Sequence, residues 1–202
     1  HVSISSALPD DIENMFFAII SQGQAATLID GSWYGSLLEF EIGKGYWLMV
    51  LEEFSPIDLV WNLDNNQQPN KSTEHDISQK ISPFSYNQST LQSFYFIDSI
   101  NTLSFDLDEN DIINSYCNQI IVGSRYYGNG YPDIPAMGYD GHNTIGYCTD
   151  SSIPNFKIYD SESGRLIDLH GNNIPKWDNL GINRITLFEH NSDQYYLFLE
   201  RL

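Results

Sequence analysis

Three tyrosines crowd into Tyr126-Tyr127-Gly128-Asn129-Gly130-Tyr131-Pro132. The glycines mark a bending, exposed loop, and three phenol rings on such a loop are not all expected to be buried. Exposed aromatic rings beside Asn and Asp stack on sugar rings or anchor a protein partner. Tyr126, Tyr127 and Tyr131 are therefore the first candidate ligand-binding residues, and Tyr139 and the pair Trp33-Tyr34 could extend the surface. The same residues have a plainer reading, as rings packed over a sheet edge with their hydroxyls in water.

A second chemistry is cation binding. Asp106, Asp108, Asn110 and Asp111 place oxygen ligands close together, as calcium loops do. The spacing departs from an EF-hand: Asp111 stands where the sharp-turn glycine belongs, and Cys117 where the bidentate glutamate belongs. No cofactor is expected, with calcium here as the possible exception, against an acidic turn before a strand at 112–116. In Tyr139-Asp140-Gly141-His142-Asn143-Thr144, Asp140 and Asn143 could hold a cation or a sugar hydroxyl, but such residues commonly bond their own backbone and build the turn. An N-terminal His1 can chelate copper through its amine and ring, as in oxidative polysaccharide-cleaving enzymes. That chemistry needs a second histidine, and His75, His142, His170 and His190 stand in no recognisable context.

No nucleophile elbow, HExxH, phosphate loop or dinucleotide fingerprint is present. Facing carboxylates for glycoside hydrolysis cannot be read from a sequence with 27 acidic residues, because some pair always fits. The expectation is a protein that is not an enzyme.

Acidic residues outnumber the 9 basic ones, for a net charge of −18. That charge offers no basic footprint for nucleic acid and is repelled by anionic membrane surfaces. No run approaches the roughly 20 apolar residues of a membrane-spanning helix. Only 18% of residues are charged, so the polar surface is expected to be Ser, Asn, Thr, Gln and Tyr, a balance common outside the cell. The two cysteines, Cys117 and Cys148, have no zinc-site spacing and are expected to form a disulfide if the chain is secreted. The chain opens at His1 in a strand-like segment, as a mature product or a piece cut from a longer chain would.

These side chains must be positioned by β-structure. Val2–Ser5 alternates like a strand. Apolar residues at 12, 15, 16, 19 and 20 predict one helix over 12–20. Ala26–Ile29 and Trp33-Tyr34, joined by Asp30-Gly31, predict a hairpin, and the apolar Tyr46–Val50 predicts a central strand. Polar residues 64–90 read as a linker or long loop. Beyond it, strands are expected at 94–97, 103–105, 112–116, 120–122, 156–159, 166–167, 184–188 and 195–199, the last two flanking a turn at 191–193. The fold class is mainly β, with antiparallel sandwich or barrel-like modules at 1–63 and 91–202 and one short helix near the N-terminus.

Asp30-Gly-Ser-Trp33-Tyr-Gly35-Ser-Leu37, followed by Gly43-Lys-Gly45-Tyr46-Trp47, resembles a small accessory module of large secreted and surface proteins of marine and other environmental bacteria. The second half resembles the module that often follows, through Asp111–Cys117, Val122-Gly-Ser-Arg125, Asp133-Ile-Pro-Ala-Met-Gly138, Gly146-Tyr147 and Pro154–Ile158. The resemblance implies an extracellular or cell-surface role beside enzymatic, adhesive or anchoring domains, and carries over no ligand and no functional residue. Three functions follow as expectations. The first is a non-catalytic binding or adhesion module for polysaccharide or a surface protein. The second is a subunit of an extracellular filament or layer, self-associating through strand edges. The third is a carbohydrate-active enzyme.

Overall fold

The computed structural model describes residues 1–59, 82–128, 133–141 and 143–190. The chain is mainly β and divides into two compact units, His1–Pro83 and Phe84–Leu202.

The first unit contains strand β1 (Val2–Ser3), helix α1 (Ile4–Ala7) and strands β2 (Phe16–Ser21), β3 (Gln24–Ile29), β4 (Ser32–Gly35), β5 (Glu39–Phe40) and β6 (Trp47–Val50). α1 is the single α-helix among the described residues. It takes over from the expected N-terminal strand at Ile4, and β1 pairs with β5 through Val2 opposite Phe40. The helix predicted over 12–20 is a strand instead. Its spacing fits one helical face, but from Phe16 to Ser21 all side chains except Phe17 are buried, so β2 is enclosed on both faces. An apolar run this short satisfies a helix and a buried strand equally, and tertiary burial decides. β2 lies inside an antiparallel sheet of order β4-β3-β2-β6. β6, expected to be central, is therefore an edge strand with Trp47 exposed. The β3–β4 hairpin forms as predicted: Asp30 and Gly31 both take positive φ, 49° and 77°, as a two-residue hairpin turn requires. Ile4, Leu8, Phe16, Ile19, Ala26 and Leu37 form this unit's core.

The second unit contains β7 (Gln92–Asn101), β8 (Ile112–Cys117), β9 (Ile120–Tyr126), β10 (Asp133–Met137), β11 (Asn155–Asp160), β12 (Arg165–Gly171) and β13 (Ile182–Glu189). They form one sheet of order β10-β7-β13-β12-β11-β8-β9, curled into a nearly closed barrel. All neighbours are antiparallel except β7 and β13, which run parallel. Phe84–Thr90, read from sequence as the end of the linker, packs on this unit. The Phe84 ring meets Tyr159 edge-on at 5.5 Å, and the Asn87 N–H donates to the Tyr147 hydroxyl at 2.7 Å.

The two end strands, β9 and β10, face each other across a seam. Gly123 in β9 lies so close to β10 that a Cβ there would stand 1.7 Å from the Pro135 carbonyl oxygen. That carbonyl accepts a hydrogen bond from the Ser115 hydroxyl at 2.6 Å. Pro135 has no N–H to donate to a ladder, so the outermost strand is where it fits. Nearby, the Arg125 guanidinium and the buried Asp133 carboxylate lie 3.8 Å apart across the seam. A covalent strap completes the closure. Cys117 ends β8 on one side and is disulfide-bonded to Cys148. Cys148 bridges to Gly138 just beyond β10, and its carbonyl accepts the Tyr139 N–H at 2.8 Å.

Inside the barrel the Trp177 indole donates to the Ala136 carbonyl at 2.7 Å, and Gly138 leaves room for its ring. Two differences from the sequence reading have physical causes. Asp133–Met137 is a strand although Asp and Pro disfavour one, because it is an edge strand whose proline faces the seam. Residues 103–105 are not a strand: the Glu189 carboxylate holds the Leu103 and Ser104 N–H groups in a bend. The strand expected at 195–199 and the turn at 191–193 lie outside the described residues.

The disulfide spans 31 residues. In the chain-entropy account, closing a loop of that length stabilises the fold by about 3–4 kcal/mol. Denaturant unfolding of the Cys117→Ala/Cys148→Ala protein is expected to show a loss of that order against the oxidised parent, and a loss below about 1 kcal/mol would contradict the strap's role.

Candidate functional site

The outer face of the second unit carries a groove built from strand registers. β12 alternates, with Leu166, Asp168 and His170 outward and Leu169 buried in the core. β11 lies antiparallel beside it with Lys157 opposite Asp168, and β8 beyond that with Tyr116 opposite Asn155. The result is an open depression of about 640 Å³ lined by Tyr116, Asn155, Lys157, Leu166, Asp168, His170 and His190.

The Lys157 ammonium lies 2.7 Å from the Asp168 carboxylate and 5.7 Å from the centre of the Tyr116 ring. The Asp168 side chain is 63% exposed, so this pair adds at most about 1 kcal/mol to stability and serves to fix two charges in the groove. Tyr116 is only 8% exposed. Burial raises its phenol above the ordinary tyrosine range; Lys157 opposes that shift and Asp168 adds to it. The hydroxyl therefore stays protonated at neutral pH. Two residues earlier on the same face, Asn114 is fully buried and its side-chain amide has no hydrogen-bonding partner among the described residues, at a cost of about 1–3 kcal/mol. Among the described residues the groove presents donors, acceptors, one exposed leucine and the Asp168 carboxylate, a set suited to holding a polar, hydroxyl-bearing chain.

The residues singled out from sequence lie elsewhere. Tyr126 ends β9, half-buried opposite Ile112. Tyr127 packs against the barrel core, and its N–H donates to the Asp111 carbonyl at 2.7 Å. Tyr131 lies outside the described residues. Tyr139 is 45% exposed, the one exposed ring of the five that are described. Trp33 and Tyr34 belong to the first unit; the Trp33 indole donates to Glu13 at 2.7 Å while its ring packs on that unit's core.

In the acidic stretch, Asp108 and Asp111 accept backbone N–H groups. Asp111 is 1% exposed, and its carboxylate accepts the N–H groups of Asp108 at 2.8 Å and Ser161 at 2.9 Å. Asp108 in turn accepts the Asn110 N–H at 2.8 Å, and Asp106 is exposed. Asp140 accepts the Thr144 hydroxyl at 2.6 Å and the Thr90 N–H at 3.1 Å, building its turn. Among the described residues no group of three or more His, Cys, Asp or Glu side chains is placed to hold a metal ion. A further polar cluster, Tyr86 with Arg125 and Asp133, sits at the seam. Burial raises the Tyr86 phenol, with Arg125 pulling it back down.

Sequence reasoning missed the groove because Tyr116, Lys157, Asp168 and His190 come from four separate segments. The alternation Leu166-x-Asp168-x-His170 is visible, but any half-exposed strand shows it.

Asp160 and Glu189, at the ends of β11 and β13, contribute to the acid response. The Ser163 hydroxyl is the main group holding Asp160 below its ordinary value near 3.8, helped by the N–H groups of Ser163 and Glu162. At Glu189 burial pushes upward, but the Ser104 hydroxyl and the Leu103 and Ser104 N–H groups outweigh it and leave the carboxyl below 4.5. A carboxyl with a depressed folded value adds stability that is fully present above its unfolded value and is lost as pH falls through the folded one. The unfolding free energy is expected to fall between about pH 5 and pH 2, and Asp160→Asn or Glu189→Gln to flatten that slope. Denaturant unfolding across this range checks it, and an unchanged slope in both variants would contradict it.

Comparison of the chain with protein-family models, with curated proteins and with solved structures finds no match.

Proposed function

We propose that this chain is a non-catalytic accessory module of a larger extracellular or cell-surface protein, and that its second unit binds polysaccharide. The observation that carries this reading is the open groove on β8, β11 and β12, with the Lys157–Asp168 pair, the Tyr116 hydroxyl and the Asn155 amide held on rigid strands. Open grooves of this kind suit extended chains, and strand-borne side chains keep their geometry better than loop-borne ones. The disulfide agrees with an oxidising location. The tyrosine loop remains a rival surface for the same ligand class. Self-association is the second reading, favoured by edge strand β6 with its exposed Trp47.

Affinity electrophoresis through gels of soluble polysaccharides separates these readings. Retention of the parent is expected on at least one gel, with a loss of about tenfold or more in Lys157→Ala/Asp168→Ala, since a few central contacts carry most binding energy. Tyr126→Ala should retain parental mobility. Unchanged retention of the groove variant, or loss in Tyr126→Ala alone, would remove the groove as the site. Concentration-dependent assembly without retention would favour the filament role.

A further inference from the structure

His170 and His190 are 20 residues apart in sequence and meet at the end of the groove. The register that sets His170 opposite Phe188 also brings the His190 N–H to the Asp168 carbonyl, at 3.0 Å. His170 and His190 are therefore diagonal neighbours on one face of the sheet, close enough for large side chains to touch. Their ring centres are 5.8 Å apart with the planes perpendicular, and both residues are exposed. The Phe188 ring lies 5.7 Å from His170 at a shallow 32° and limits how that imidazole can turn.

We propose that His170 and His190 form a surface site for a divalent transition-metal ion such as Zn²⁺, bound by one imidazole nitrogen from each ring and completed by water. Metal–nitrogen bonds of about 2.0–2.1 Å at a tetrahedral centre put two imidazole centres roughly 5–6 Å apart, the separation seen here. Neutral imidazole is the side chain best suited to zinc, nickel and copper. The sheet fixes both backbones, and Phe188 restrains one ring. The strongly acidic chain draws cations toward its surface. Lys157 is the opposing charge in the groove, and its ammonium is engaged by Asp168. The site stands independently of which ligand the groove takes.

The test is a Zn²⁺ titration of the full chain by calorimetry. His1→Ala is present in every sample, so that the N-terminal amine and ring contribute no chelate. One Zn²⁺ per chain is expected, weakened roughly tenfold or more in His170→Ala and in His190→Ala, each of which removes one of two protein ligands. His75→Ala and His142→Ala should bind as the parent does. Imidazole NMR of the chain with His170 and His190 intact reads the same question without disturbing the fold, and only two ring systems should shift with zinc. Parent-like binding in His170→Ala or His190→Ala, zinc-dependent shifts in other rings only, or no binding by the parent would overturn the proposal.

Discussion

The close approach of β9 to β10 is the contact on which the second unit depends. A seven-stranded sheet that stays open leaves two rows of unpaired backbone groups, and open edges recruit other chains. Here the edges are brought face to face without a ladder. Gly123 lets the backbones approach, the Pro135 carbonyl takes the Ser115 hydroxyl, and Arg125 meets Asp133 at one end. The disulfide holds the other end, where Cys148 runs beside the residues that follow β10. A proline that would spoil an inner strand is harmless here, because the bond it cannot make is not required.

Closure has a consequence on the opposite side of the sheet. Curling sends one set of alternating side chains, including Phe156, Ile158, Leu169 and Leu187, into a shared core. The other set is turned out as ordered rows. Lys157 meets Asp168, Tyr116 meets Asn155, and His170 meets Phe188 because the register of each pair is pinned by the buried set: a one-residue slip would send the core residues into water. The groove is thus the outer record of how the barrel is packed. Its polar groups owe their spacing to backbone pairing and little to contacts with one another.

Much of this fold was legible in local pattern. The Asp30-Gly31 hairpin, the strands at 94–97, 112–116, 120–122, 156–159 and 184–188, and the Cys117–Cys148 bond all follow from turn chemistry, β-branched and aromatic runs, and cysteine count. What escaped depends on neighbours distant in sequence. Phe16–Ile20 looks helical until β3 and β6 enclose it, and Tyr46–Val50 looks central although β2 is its one partner among the described strands. Asp133–Met137, unassigned from pattern alone, is a strand because the seam gives its proline a place. The candidate site was hidden for the same reason. Tyrosines adjacent in sequence drew attention, while Tyr116, Lys157, Asp168 and His190 converge only through three antiparallel pairings. Asp111, read as a calcium ligand, has its carboxylate engaged by backbone N–H groups on two turns.

The seam is tested most directly by Gly123→Ala, read as the free energy of denaturant unfolding with the disulfide intact. The added methyl must displace the Pro135 backbone, so a loss of about 3 kcal/mol or more is expected, at the upper end for an overpacked core. A change within about 0.5 kcal/mol, the size seen for ordinary surface substitutions, would mean that β9 and β10 do not close the barrel in this way.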